Sequence, residues 1–196
     1  MDFKLHLEKA WRLMLENILS LIFMTLVMLV ISFCTLGILC PVTMAGYMES
    51  ILLLVRDGRE PKIQDLFSQM HLFLPLLGFG IIVFILVMIG FLVLILPGII
   101  IALLISFACL YMIPLMVDKK MGLIDACKKS SSMTFKGGLL EQIIVFILYA
   151  AALALGSSIF IGILVTQPFA TIFLLSVYNE QADSATLIKT GENQSQ

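Results

Sequence analysis

The stretch 73–117, FLPLLGFGIIVFILVMIGFLVLILPGIIIALLISFACLYMIPLMV, contains no charged residue. A transmembrane helix needs about 20 apolar residues to cross a hydrocarbon core of about 30 Å, so this stretch is long enough for two crossings. Leu96-Pro97-Gly98 interrupts it near its middle, and proline fits best in the first turn of a helix. The sequence therefore predicts a hairpin of two helices, over about 73–95 and 98–117.

Two further apolar stretches, 17–55 and 139–178, are also long enough for two crossings each. The first breaks just before Pro41, which predicts helices over about 18–38 and 41–55. The second must turn between Gly156-Ser157-Ser158 and Gln167-Pro168, and the predicted helices are about 139–160 and 163–179. The distance from the amphipathic segment to the turn in the other two stretches favours the earlier turn here. Pro168 favours the later turn, and the prediction leans toward that one.

The composition requires lipid as the solvent for most of the chain. It is 61% hydrophobic and 13% charged, whereas soluble domains carry about a quarter charged residues. We expect one membrane domain, 1–180, followed by a disordered cytoplasmic tail, 181–196, which is rich in Ser, Thr, Asn and Gln.

The positions of the basic residues predict the topology. The three turns between paired helices, near 39, 97 and 160, carry no charge. Because basic residues mark the cytoplasmic side, the fold is expected to be an all-α, multi-pass inner-membrane protein. It would have six transmembrane helices in three hairpins, with both termini cytoplasmic. All twelve Lys and Arg residues lie in four segments on that side: Lys4, Lys9 and Arg12; Arg56, Arg59 and Lys62; Lys119, Lys120, Lys128, Lys129 and Lys136; and Lys189.

An amphipathic segment precedes each predicted hairpin. Such segments are typical of helices that lie in the membrane interface with their apolar face toward lipid. Trp11 and Pro41 are as far apart in sequence as Phe67 and Pro97, which favours a repeated unit of interfacial helix and hairpin. The three apolar stripes are Phe3, Leu7, Ala10, Trp11 and Met14; Ile63, Leu66, Phe67 and Met70; and Leu123, Ile124 and Cys127.

Glu49 is an ionisable residue well inside a predicted span. It follows Pro41 by eight residues, which is about 12 Å along a helix, and a charge at that depth is costly unless it faces other helices or water. It could be a proton or cation site, or a neutral carboxyl that is hydrogen-bonded locally or reaches for Arg56. Serines follow the other two prolines at similar spacing. The candidate intramembrane polar site is Glu49 with Tyr47, Ser50, Ser106 and Ser176.

The loop 118–138 is rich in lysine, with Asp118 and Asp125 as its acidic residues. Attraction to anionic headgroups contributes about 1 kcal/mol per basic residue near the surface, although the same lysines could serve only to set topology. Membrane lipids are the expected partners, with a second copy or another membrane protein also possible, and nucleic acid is not expected. The candidate lipid contacts are Lys119, Lys120, Lys128, Lys129 and Lys136.

No sequence motif of an enzyme is found. His6 and His71 lie far apart and lack the spacing of metal ligands, and neither a glycine-rich phosphate loop nor a G-x-S-x-G elbow occurs. We therefore expect no catalytic, cofactor or metal site. The cysteines have no C-x-x-C spacing and are expected to be free thiols: Cys34, Cys40, Cys109 and Cys127.

Several short motifs carry a family resemblance. They are 40–47 (CPVTMAGY), 57–67 (DGREPKIQDLF), 96–99 (LPGI), 111–115 (YMIPL), 125–130 (DACKKS) and 135–138 (FKGG). Together they resemble a diffuse, uncharacterised family of six-helix bacterial inner-membrane proteins, similar to the membrane domain fused to some glycerophosphodiester phosphodiesterases. The resemblance covers about 5–180 and implies a six-helix fold in a lipid setting. It supplies no catalytic residues, because the phosphodiesterase chemistry belongs to a separate soluble domain.

Two functions follow from the sequence. The first is a non-enzymatic membrane protein that interacts with lipid, scaffolds partners or regulates them. The alternative is a small transporter or channel subunit that uses Glu49.

Overall fold

The computed structural model describes residues 3–93, 95–136, 138–157 and 162–194. Within these ranges the chain forms helices and no strand, so the predicted all-α class is confirmed. Two short 3-10 helices are Ile63–Phe67 and Met70–Leu72. The α-helices are α1 (Phe3–Glu16), α2 (Ile18–Cys34), α3 (Cys40–Asp57), α4 (Phe73–Val93), α5 (Ile95–Ala108), α6 (Met112–Asp118), α7 (Leu123–Lys136), α8 (Leu139–Ser157) and α9 (Ile163–Gln194).

Several helices are long and apolar enough to cross a membrane, whereas the six predicted spans and their three hairpins stay a prediction. In the described ranges the helices of sufficient length are Ile63–Leu92, Leu96–Asp118 and Leu139–Gly156. α1 and α2 together would make a fourth, with a bend of 87° between them. Only 11% of the apolar window in Ile63–Leu92 is buried inside the protein, as expected for a helix that is apolar on all sides and solvated by lipid.

The centre of the bundle is formed by α3 and α9, most of whose side chains between 42 and 55 and between 167 and 178 are buried. α3 packs against α2, α4, α6 and α9, and α9 also packs against α1, α2 and α8. Small and polar residues such as Ala45, Ser50, Ala170 and Ser176 are buried in these contacts. Such side chains let helices approach closely and hydrogen-bond across the interface.

Gly46 allows the segment after α3 to fold back against that helix. A Cβ atom at this position would overlap the backbone carbonyl oxygens of Asp65 and Leu66. The 3-10 helix Ile63–Phe67 therefore lies directly on α3, beside the turn of helix that carries Glu49.

α8 has nearly the predicted bounds of 139–160, and α9 begins at the predicted position, 163, before Gln167-Pro168, so the leaning toward a turn at Pro168 is wrong. α8 ends at Ser157, and Pro168 lies inside α9. Pro168 is the sixth residue of α9, so it has no N–H to donate to the carbonyl of Leu164 and removes one hydrogen bond from the helix. Gly156 lets α8 approach Thr166 of α9 closely.

The predicted helix 98–117 is divided in two. α5 ends at Ala108 and α6 begins at Met112. Pro114 accounts for the break: its nitrogen cannot donate to the carbonyl of Leu110, and its ring excludes an uninterrupted helix, but both features fit the first turn of a new one.

The two amphipathic segments nearest the N-terminus differ in detail from the prediction. The apolar residues of the α1 stripe do not share one environment. Ala10 and Met14 are buried with His6, whereas Leu7 and Trp11 are exposed. In the second segment, which is 3-10 rather than α-helical, Leu66 is buried whereas the other three apolar residues of its stripe are exposed.

The tail also differs from the prediction. A disordered segment is expected from 181, but α9 continues to Gln194. The segment contains no proline and includes good helix formers such as alanine, leucine, glutamine and lysine, and it extends a helix that has already started. α9 therefore crosses the predicted domain boundary at 180.

Candidate functional site

Polar and charged side chains from four helices meet at one end of the bundle. Four of them come from one stretch of α9, 176–180, which follows the apolar run 172–175. Arg56 and Asp118 stand at the C-terminal ends of α3 and α6. We call this group the polar cluster; its members are His6, Arg56, Asp118, Ser176, Tyr178, Asn179 and Glu180.

Arg56 and Asp118 form the charged pair of the cluster. The guanidinium binds the carboxylate in a bidentate manner, with Nη2 donating to Oδ2 at 3.0 Å. Its Nε donates to Oδ1 of Asn179 at 2.6 Å, and the Tyr178 hydroxyl donates to Asp118 Oδ2 at 2.8 Å. The planar fork of arginine suits such bidentate pairing. The pair thus joins α3, α6 and α9.

His6 joins α1 to α9. Its Nδ1 lies 2.8 Å from Ser176 Oγ, and its Nε2 contacts the Glu180 carboxylate. Serine, histidine and carboxylate in a row also occur in hydrolases. However, Ser176 and His6 are only 3% and 6% exposed, which closes the hydroxyl to a substrate in this arrangement. These hydrogen bonds hold α1 against α9.

The polar cluster brings distant positions of the chain to the same end of the bundle. Residues 6, 56, 118 and 178–180 all take part. The segment between 56 and 118 contains α4 and α5, which pack against each other, and the segment between 118 and 178 contains α8 and most of the apolar part of α9, which also pack together. The chain therefore leaves this end and returns to it in each segment.

Ser130 hydrogen-bonds to the backbone on both sides of the break between α5 and α6. Its hydroxyl donates to the carbonyl oxygen of Ala108 at 2.8 Å and accepts from the backbone N–H of Tyr111 at 3.1 Å. Buried backbone groups need such partners, and Ser130 is fully buried. The Tyr111 hydroxyl in turn donates to Gln142 of α8 at 2.7 Å.

Glu49 and Ser50 both bond to the segment that folds back on α3. The Glu49 carboxylate accepts a hydrogen bond from the Ser68 hydroxyl. Ser50 donates to Asp65 Oδ2 at 2.7 Å, and Arg59 donates to Asp65 Oδ1 at 2.6 Å. Glu49 therefore takes part in a contact between α3 and the following segment.

The other members of the predicted polar site lie elsewhere. Tyr47 is buried and its hydroxyl lies 3.0 Å from Thr25 Oγ1 on α2. Ser176 belongs to the polar cluster, and Ser106 is exposed on α5. The structure thus brings Glu49 and Ser50 together and leaves Tyr47, Ser106 and Ser176 in separate surroundings.

The predicted lipid contacts are exposed where the structure describes them: Lys119, Lys120, Lys128 and Lys129. The side chain of Lys136 lies outside the described residues. Lys128 and Lys129 stand on α7, which buries Ala126, Ser130 and Thr134 and exposes Ile124 and Phe135. The outer surface of α7 therefore carries both cations and large apolar side chains.

Comparison with known proteins finds no matching family model, no matching curated protein and no matching solved structure. The family resemblance noted in the sequence stays a prediction.

Sequence reasoning missed His6, Arg56, Asp118 and Ser130 as partners. Each pairs with a residue far away in sequence, by 170 and 174 positions for His6. The sequence carries a signal for Ser130, because Pro114 indicates a helix break. The backbone N–H and carbonyl groups left free at such a break need a hydrogen-bonding side chain. Asp118 also ends an apolar run, where an unpaired carboxylate would be costly.

Proposed function

We propose that this chain is a non-enzymatic integral protein of a bacterial inner membrane that interacts with anionic lipid at its cytoplasmic face and serves as a scaffold or regulator. In this proposal the six spans are α2, α3, α4, α5 with α6, α8 and α9, arranged as three hairpins. Both termini, the segment 58–72 and α7 lie on the cytoplasmic side.

The polar cluster supports the six-span topology. Two points that lie on the same side of a bilayer are separated by an even number of crossings. Arg56 contacts Asp118, and Arg56 also contacts Asn179, so each intervening segment crosses twice or not at all. The first segment holds two helices that are long and apolar enough to cross, Ile63–Leu92 and Leu96–Asp118. The second holds one such helix, Leu139–Gly156, so in this proposal α9 supplies the second crossing that an even number requires.

The surface of α7 carries the lipid part of the proposal. Ile124 is 67% exposed and Phe135 is 47% exposed, beside the exposed Lys128 and Lys129. Large apolar side chains in contact with water are unfavourable, whereas at a membrane interface they enter the acyl region while the lysines reach anionic headgroups. This combination on one helix is the observation that favours an anionic-lipid surface.

The lipid interaction is tested with the full chain in phosphatidylcholine nanodiscs with or without phosphatidylglycerol. We expect phosphatidylglycerol to be enriched around the protein, and the enrichment to weaken at high ionic strength. Replacing Lys119, Lys120, Lys128 and Lys129 with Gln should reduce the association by at least about tenfold. Equal proportions of the two lipids around the protein and in the bulk would refute the proposal.

The topology is tested by thiol labelling. Cys34 and Cys40 flank the turn between α2 and α3 and are exposed, so a membrane-impermeant maleimide should label them from outside intact spheroplasts. Cys127, on α7, should react only after the membrane is opened. Labelling of Cys127 in intact spheroplasts would contradict the proposed orientation.

The hydrogen bond from Ser68 to Glu49 does not favour the transporter alternative. It gives the carboxylate a local partner beside the Ser50–Asp65 contact. We therefore do not extend the proposal to proton or cation transport.

A further inference from the structure

A crevice of about 580 Å³ lies between the end of α5 and α7. Ala108 and Cys109 line one side, and Cys127, Lys128, Ser131 and Ser132 line the other. Its size is within the range of about 300–1,000 Å³ that small-molecule sites occupy. It opens beside the break between α5 and α6, where Ser130 hydrogen-bonds to the backbone.

The polar groups of the crevice suit an anionic oxygen ligand. Lys128 is exposed and supplies a cation with three donors. In the part of the chain that the structure describes, the hydroxyls of Ser131 and Ser132 have no hydrogen-bond partner, so both can donate to a ligand. Asp125, the acidic residue on α7, does not line the crevice.

The spacing along α7 places the cation between apolar side chains. Ile124, Lys128, Ser131 and Phe135 follow i, i+4, i+7 and i+11 spacing, so they form one stripe along the helix. Lys129 is turned by about 100° from Lys128 and does not line the crevice. The two neighbouring lysines therefore differ in access to the same site.

The crevice also borders the apolar surface of α5. Leu104 precedes Ala108 by four residues and so lies on the same face, one turn further from the break. Leu104, Ile100 and Leu103 are all exposed. A ligand with an anionic head and an apolar chain can therefore place its head beside Lys128 and its chain along α5.

We propose that this crevice binds the phosphate group of one anionic glycerophospholipid, through Lys128, Ser131 and Ser132, with an acyl chain against Leu104. The assignment rests on the proposed function and adds a discrete site to it. Lysine acts as a point charge for phosphate, and the two hydroxyls fix the position of the phosphate oxygens.

The two thiols in the crevice provide the test. In a Cys34→Ser/Cys40→Ser protein, the rate of N-ethylmaleimide modification of Cys109 and Cys127 is measured in nanodiscs with and without phosphatidylglycerol. We expect the anionic lipid to slow the modification. Lys128→Gln should weaken this protection about fivefold, while Lys129→Gln, with the same change in charge, should retain it.

Equal loss of protection in Lys128→Gln and Lys129→Gln would overturn the site, as would equal labelling with and without anionic lipid. Protection by inorganic phosphate in pure phosphatidylcholine nanodiscs would assign the crevice to a soluble phosphate and overturn the lipid. If phosphatidylglycerol is still enriched around the protein while the crevice is unprotected, only the site fails. If enrichment is also absent, the proposed function fails with it.

Discussion

The hydroxyl of Ser130, on α7, donates a hydrogen bond to the carbonyl oxygen of Ala108, the last residue of α5, at 2.8 Å. The same hydroxyl accepts from the N–H of Tyr111 on the other side of the break. One side chain of an amphipathic helix therefore satisfies two backbone groups of a helix that the sequence predicts to be continuous.

Replacing Ser130 with Ala should lower the free energy of unfolding by about 1–3 kcal/mol, because it leaves buried backbone groups without partners. Thermal unfolding in detergent measures the change. Ser132→Ala is the control: Ser132 is half-buried on the same helix and has no hydrogen-bond partner among the described residues, so its effect should stay within about 0.5 kcal/mol. Equal unfolding midpoints for the two variants would contradict the role of Ser130.

Arg56 and Asp118 should be energetically coupled. Arg56→Gln and Asp118→Asn are each expected to destabilise the protein by about 1–3 kcal/mol, since each leaves a hydrogen-bonding partner behind. The double variant should cost less than the sum of the single ones, with a coupling of about 1 kcal/mol or more in unfolding measurements.

The exposed pair of Arg12 and Glu16 is the control for this coupling, with a separation of 3.9 Å. Its coupling should lie below about 0.5 kcal/mol. Arg56→Lys should restore little of the lost stability, because an ammonium cannot reproduce the bidentate bond and the contact with Asn179 at once. Additive effects at Arg56 and Asp118 would show that the pair does not hold the helices together.

Gly46→Ala should detach the segment 58–72 from α3. The added methyl would overlap two backbone carbonyl oxygens, so the backbone must move. Arg59 and Lys62 lie in this segment, and limited trypsin digestion there should become faster in the variant. Gly78→Ala is the matched control, because nothing lies within 4 Å of its added Cβ. If both variants resist trypsin like the wild type, the close packing of the segment is refuted.

Glu49→Gln should leave stability within about 1 kcal/mol of the wild type, because the amide retains an oxygen that can accept the Ser68 hydrogen bond. Glu49→Leu removes that acceptor and should destabilise the protein more. Unfolding midpoints distinguish the two variants. A proton or cation flux in liposomes that Glu49→Gln abolishes would instead favour the transporter.

The helical class and the candidate spans could be predicted because bilayer thickness sets the length of an apolar helix. Pro41 and Pro97 both fall in the first turn of a helix, as proline geometry requires. Pro168 did not follow this pattern. The close contact of Gly156 with Thr166 fixes the turn before it, and contact between two helices is not visible in local sequence.

The candidate site was less predictable for the same reason. Glu49 could be singled out by its depth, but its partner Ser68 depends on the fold-back that Gly46 allows. His6 has no ligand pattern near it in the sequence, and its partners Ser176 and Glu180 stand on α9. Local patterns give the helices, whereas the pairing of distant polar groups requires knowledge of which helices touch.

The burial of α3 against α9 also sets an order of assembly. α3 is synthesised well before α9, and until α9 is made its inward face, with Arg56 at the end, lacks the helix that covers it. The contact between α3 and α9 can therefore form only after α9 has been made. A chain interrupted after α8 would lack every contact that α3 makes with α9, so the last helix completes the packing of one of the first.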